Sequence, residues 1–194
     1  MTVSQTKKAK QFAALHVKGT PVVLYNAWDA GSAKAIVDAG AEAIATSSWS
    51  VAAAQGYDDG EDLPLALAEQ IVGRIAATVD VPVTVDFEGG YSDDDRKLAS
   101  NISKLLDLGI IGINFEDRVV KGKGLYGVDR QAKRIAAIRH AAEERLQRVR
   151  RKQTGRSLAE ELLAIAKRCA ALPDQDVRTA DEILGYDAHG LPSS

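Results

Sequence analysis

Pro82-Val83-Thr84-Val85-Asp86-Phe87-Glu88-Gly89-Gly90-Tyr91 is the stretch on which the rest of the chain is organised. Residues 81–85 are proline or β-branched, which predicts a strand buried on both faces. Two carboxylates, Asp86 and Glu88, follow where that run ends, and Gly89-Gly90 then releases the backbone into a turn. Strand alternation would place residues 86 and 88 on one face. Adjacent anions repel unless a proton or a cation lies between them, and hard oxygen ligands suit Mg²⁺ or Mn²⁺ better than zinc. The plain alternative is a polar loop after an ordinary strand.

Composition sets the limits around this stretch. The 194 residues hold one sizeable core, or one domain with an extension. No apolar run approaches a membrane span, and the lysine-bearing N-terminus has no apolar stretch of signal-peptide length, so a cytoplasmic location and no membrane partner are expected. Cys169 is the one cysteine, which excludes an intrachain disulfide and a cysteine-based zinc site. His16, His140 and His189 share no metal-ligand spacing. Net charge is −4 over residues 1–144 and +2 over residues 145–194. The basic run from Arg145 to Arg156 is too local to make the whole chain a nucleic-acid binder.

Outward from residues 82–91, strand and helix alternate. Helix over 5–17 leads to a strand at Val22–Tyr25 ending in Asn26-Ala27-Trp28-Asp29, then a short helix closed by Gly40. A second strand, Ala43–Thr46, ends in Ser47-Ser48-Trp49-Ser50. The polar loop 56–62 precedes a helix opened by Pro64, whose Leu67, Ile71 and Ile75 recur at helical spacing. After the third strand come a helix over 94–108 and a fourth strand, Ile111–Phe115, delivering Glu116 and Asp117. A Lys121-Gly122-Lys123-Gly124 loop and a long helix from about residue 128 follow. Four strand–helix alternations predict parallel strands, with chemistry at their C-terminal ends, where all four polar segments fall. That coincidence favours the metal-site reading of Asp86 and Glu88 over the plain loop. Beyond residue 144 there is no fifth strand; an amphipathic helix over 157–171 and a short helix over 179–184 are expected.

Residues 12–143 resemble the first half of the isocitrate lyase/phosphoenolpyruvate mutase superfamily. The segments that carry the resemblance are Val23 to Asp29, Ala45 to Ser48, Gly56 to Glu61, Val85 to Tyr91 and Gly112 to Asp117, in order. It implies a (β/α)8 barrel acting on small 2-oxo acids or phosphonates through a Mg²⁺-stabilised enolate. By the same matching, Asp86, Glu88 and Glu116 would hold a hydrated Mg²⁺ or Mn²⁺. Backbone amides around Ser47, Ser48 and Trp49 would bind the substrate's oxyanion or carboxylate. Asp59 would lie on the gating loop, and Lys121 or Lys123 would take the part of the mutase-type loop lysine. The segment Arg118 to Tyr126 lacks the catalytic cysteine of the family's lyases, so isocitrate-type cleavage is not expected. The fifth-strand Asn-Ala-Arg segment of the family is also missing.

Residues 145–194 resemble the C-terminal half of VapB-type antitoxins of the PSK/Rv0623-like family, through Glu161 to Ile165, Arg168 to Pro173 and Arg178 to Asp187. That resemblance implies a PIN-domain toxin as a partner for residues 157–192; DNA binding is not expected without the ribbon-helix-helix half. The expectation is therefore an α/β chain: a truncated barrel of about four βα units over 1–144 and a helical extension over 145–194. Its function would be that of a Mg²⁺-dependent lyase or phosphonomutase, impaired by truncation, or else that of a non-enzymatic toxin-binding fusion. An inner sheet face of Val83, Val85, Ile111 and Ile113 with two unpaired edges would drive self-association.

Overall fold

The structure, a computed structural model, describes residues 4–154 and 158–171. The chain divides into two compact units, residues 1–148 and 149–194. In the first, helix α1 (Gln5–Leu15) precedes strand β1 (Tyr25–Ala27), helix α2 (Ala30–Asp38) and strand β2 (Ile44–Thr46). Helices α3 (Ser48–Ala54) and α4 (Leu65–Thr78), strand β3 (Val83–Asp86), helix α5 (Asp95–Asp107) and strand β4 (Gly112–Asn114) follow, and helix α6 (Val128–Thr154) begins in this unit and ends beyond residue 148. The four strands form one parallel sheet in the order β1-β2-β3-β4. This is the α/β arrangement that the alternation of elements predicts.

Capping explains several boundaries. Asp29 caps α2 in a reciprocal box with Ser32, and Asp94 accepts from the Lys97 amide at the start of α5. Pro64 stands at the N-cap of α4, where a missing N–H costs nothing. Val22, Val23 and Leu24 lie ahead of β1 rather than in it, because the ladder to β2 begins at Tyr25 with Ile44. Helix α6 runs unbroken through Glu144.

The sheet faces correct one expectation. Val83 lies in a core with Ile44, Ile71 and Ile75, and Val85 in another with Leu98, Ile102 and Leu105; Ile113 packs against the latter. These valines thus bury themselves under α4 and α5, and do not form the inner barrel face with Ile113. Strand alternation puts Ala45, Thr84 and Gly112, which are register partners, on the other face. That face is lined with small and polar residues, and a methyl on Gly112 would come within 3.1 Å of Thr84 Cγ2.

In the second unit the described helix is α7 (Leu158–Ala170), on which Leu162, Leu163 and Ile165 are exposed. The expected helix over 179–184, and the side chain of Cys169, lie outside the described residues. Among the described residues no helix is long and apolar enough to cross a membrane.

Candidate functional site

The C-terminal ends of β2, β3 and β4 converge as the alternation predicts, but the acids are presented differently from the strand-parity expectation. Strand β3 ends at Asp86, and Glu88 sits in the left-handed region at φ +48°. A turn, not strand alternation, therefore aims Glu88. The reason is local: Phe87 is buried in the α5 core, and its N–H reaches the Asn114 carbonyl at 3.1 Å, so the chain must bend at residue 88 to continue.

Asp86 is held from β2 and α3. Its Oδ2 accepts from the Ser48 N–H at 3.1 Å and from the Ser48 hydroxyl at 2.9 Å, and its own N–H donates to Thr46 Oγ1 at 3.0 Å. Ser47 caps the short α3, and Trp49 is 65% exposed. The amide of Ser48, expected to face a substrate oxyanion, is thus directed at Asp86. The Glu88 carbonyl accepts from the Glu116 N–H at 2.8 Å, which ties the β3 turn to the end of β4.

Glu88 lies between two concavities. One holds Thr46, Ser48, Asp86 and Tyr91; the other, a shallow cleft, holds Glu61, Glu116, Arg118 and Lys121. Asp59 is exposed and lines neither, yet its charge acts on both Glu88 and Glu116. Lys121 adopts φ +54° on the rim of the second cleft. Among the described residues no three His, Cys, Asp or Glu side chains come close enough to ligate one metal ion directly. Mg²⁺ retains several waters, so acids can hold it through those waters from further away.

Electrostatics marks this region as short of positive charge. Burial first, then Asp59, Glu61 and Asp86, push the Glu88 carboxyl up to about 7. Glu116 is raised by desolvation and by Asp86 and Asp59, with Arg118 opposing. Tyr91 is pushed up by burial and by the same acids. Carboxylates that hold protons this way are oxygen donors that could accept a divalent cation in the protons' place.

Two residues of this site were not singled out from sequence. Glu61 is buried, its Oε1 accepts from the Tyr91 N–H at 2.7 Å, and its Oε2 has no hydrogen-bond partner. Its signal was present in Asp58-Asp59-Gly60-Glu61, where glycine opens a left-handed pair, φ +102° and then +66°. Arg134 is fully buried. It sits four residues before Ile138 and seven before Ala141, both of which pack in the α5 core, so it lies on the inward stripe of α6.

Comparison with known proteins accords with the fold. Residues 12–149 match the family described as "Phosphoenolpyruvate phosphomutase", and residues 131–192 match "Rv0623-like transcription factor". A solved Burkholderia cenocepacia structure titled a "putative phosphonomutase" is 47% identical, covering 71% of this chain and 56% of that one, with a TM-score of 0.69. A phosphonopyruvate hydrolase solved with oxalate and Mg²⁺ shares the fold at 22% identity and a TM-score of 0.65, over 73% of this chain and 48% of that one. The "Putative antitoxin VapB34" of Mycobacterium tuberculosis is 53% identical over 57 residues, which are 29% of this chain and 81% of that protein. Against the relatives and structures matched by its phosphomutase part, the chain spans about half their length. With the parallel sheet, the acidic strand ends and these matches together, the chain belongs to the phosphoenolpyruvate phosphomutase family, and it carries C-terminally a segment of the Rv0623-like, VapB antitoxin family.

Proposed function

We propose that the chain is a lyase- or phosphonomutase-type protein that binds Mg²⁺ or Mn²⁺ through Asp86, Glu88 and Glu116 and takes a small 2-oxo acid or phosphonate. The observation that carries the reading is the buried Glu88, held near pKa 7 between Asp59, Glu61 and Asp86. When bound, the cation would supply positive charge where an enolate oxygen develops. The chain's own residues set up the rest. Ser48 fixes the rotamer of Asp86 with two donors on one oxygen. The Ser47 to Trp49 segment would bind the substrate carboxylate by its amides once Ser48 exchanges Asp86 for that ligand. Asp59 would close over the site, and Lys121 would contribute a cation opposite the acids.

Titration calorimetry with Mg²⁺ and Mn²⁺ on wild type and Asp86→Ala tests the binding step, with turnover of oxaloacetate and phosphonopyruvate measured alongside. A metal-dependent heat that Asp86→Ala abolishes is expected. Equal heats from the two proteins would sink the reading.

A second reading has its own observations: the antitoxin-like match, and the exposed Leu162, Leu163 and Ile165 on α7. In it the C-terminal segment, residues 157–192, binds a PIN-domain toxin, and the barrel part serves as a carrier. Co-purification of a small ribonuclease with the full chain, lost in Leu162→Asp, is the outcome it requires.

A further inference from the structure

We infer that Arg134 is a positioning residue for the acidic site, gripping from α6 the turn that aims Glu88. The proposal rests on the metal-site reading above and concerns how that site is held in shape. A fully buried arginine is costly, and Arg134 carries that cost with its Nε unpartnered, so the contacts of its other nitrogens call for a reason. Here Arg134 Nη2 donates to the carbonyls of Gly89 and Ser92, the latter at 3.0 Å, and so spans the turn that follows Glu88. Its guanidinium stacks over the Tyr126 ring at 4.1 Å and the Phe115 ring at 4.9 Å, both from the segment after β4. One side chain thus joins α6, the β3 turn and the β4 segment.

The turn is also held by the Glu116 N–H on the Glu88 carbonyl at 2.8 Å, the Gly90 N–H on the Phe87 carbonyl at 2.9 Å and Asn101 Nδ2 on the Gly90 carbonyl at 3.1 Å, but among these contacts Arg134 alone reaches it from α6. Glu88 and Tyr91 are left-handed at φ +48° and +61°, a conformation that non-glycine residues keep only when their surroundings impose it. Arg130, one helical turn earlier, extends the grip: it pairs with Asp95 at 2.7 and 2.8 Å and donates to the Asp93 carbonyl. At the other end, the Tyr91 N–H is fixed by Glu61. Arg134 touches no reacting atom. Its effect on the cation passes through the backbone of residues 89–92, which sets where the Glu88 carboxylate points.

The test uses the full chain, with Mn²⁺ as the probe, followed by its electron paramagnetic resonance signal, and with amide hydrogen exchange as a second readout. Arg134→Met, which keeps the stem and removes the donors, should weaken Mn²⁺ binding about ten-fold, the usual scale for a group that orients metal ligands. It should also speed exchange at residues 89–92 while leaving β3 protected. Arg134→Lys, which keeps the charge but not the planar fork, should fall between Met and wild type, and it carries the test if Arg134→Met does not fold. Ile75→Ala, in the other core, should lower stability without changing Mn²⁺ affinity. Wild-type affinity in a folded Arg134 variant, or an equal loss in Ile75→Ala, would overturn the proposal alone. A wild type with no Mn²⁺ affinity would overturn the site reading, and the proposal with it.

Discussion

Ser48 holds Asp86 by both its amide and its hydroxyl, and both donors meet the same oxygen, Oδ2, at 3.1 and 2.9 Å. The other oxygen, Oδ1, faces the Glu88 amide at 3.5 Å, the far limit of a hydrogen bond. The carboxylate is therefore oriented by α3 and leaves Oδ1 weakly engaged. Charge-assisted bonds of this type are stronger than neutral ones and fix a rotamer as well as a charge. Ser48→Ala, which keeps the amide bond, should weaken Mn²⁺ or Mg²⁺ binding about ten-fold, against the complete loss expected for Asp86→Ala. Calorimetric titration of the two variants checks the order. Unchanged affinity in Ser48→Ala would mean that the orientation of Asp86 does not matter to the cation.

The pH dependence of stability follows from Glu88. Its folded carboxyl is raised to about 7 from the ordinary glutamate value of 4.5. Between those values the folded chain retains a proton that the unfolded chain has released, so the native state binds more protons and stability falls as pH rises. The contribution is fully present below about pH 4.5 and is lost by about pH 7. Glu61 and Glu116, also raised, act in the same direction. In the presence of a chelator, stability should drop by something on the order of 2 kcal/mol between pH 5 and 8. Millimolar Mg²⁺ should reduce that drop, because the cation takes the place of the protons. Thermal melts at both pH values, with and without Mg²⁺, read it directly. A melting point that rises through this range in chelator contradicts the account.

Glu61 offers a prediction in which two substitutions differ in sign. Its carboxyl is raised chiefly by burial, against the pull of the Tyr91 amide and Arg134. Glu61→Gln keeps an oxygen for the Tyr91 N–H while removing one of the anions that act on Glu88, so it should stabilise the metal-free chain at pH 8. Glu61→Ala strands that N–H and should cost roughly 1–3 kcal/mol. Urea denaturation at pH 8 separates the two. Loss of stability in both would show that the Glu61 charge is compensated in the fold.

Gly90 is fixed by two independent restraints. Its φ is +84°, and a Cβ there would lie 2.3 Å from Leu98 Cδ1 and 3.1 Å from Phe115 Cε2. Gly90→Ala should therefore cost about 2–4 kcal/mol, combining left-handed strain with overpacking of the α5 core. The fall in the denaturation midpoint measures it. A neutral substitution would require the turn to relax without disturbing Leu98.

Much of this fold was legible in the residues themselves. The Val83–Val85 run, the Pro64 start of α4 and the apolar spacing of the helix expected over 94–108 each announce their element through local chemistry, and the structure places them accordingly. Which face those valines occupy was not legible. A strand buried on both sides shows no alternation, and only the packing of α4 and α5 decides it. The acids at the strand ends were visible as residue types, but the bend at Glu88 depends on Phe87 anchoring in the core, a tertiary contact. Arg134 was the least visible, because a lone arginine in a basic amphipathic helix reads as solvated until the turn it grips is in place.

The edges of the sheet lead to the last prediction. Among the described residues, strand β1 has a ladder partner on one side only, β2, and β4 only β3. Val23, Tyr25 and Trp28, on and around β1, are 66%, 58% and 43% exposed. An open edge flanked by large apolar side chains is a template for another strand, and no Pro or Lys within β1 guards against it. The full chain should therefore associate with concentration in the micromolar range. Tyr25→Lys, which places a charge on the edge itself, should shift it toward monomer with little change in secondary structure. Light scattering coupled to size exclusion, run on both proteins over a dilution series, gives the answer. A wild type that stays monomeric at every concentration would mean that this edge is covered, and Tyr25→Lys would then lower stability instead of changing mass.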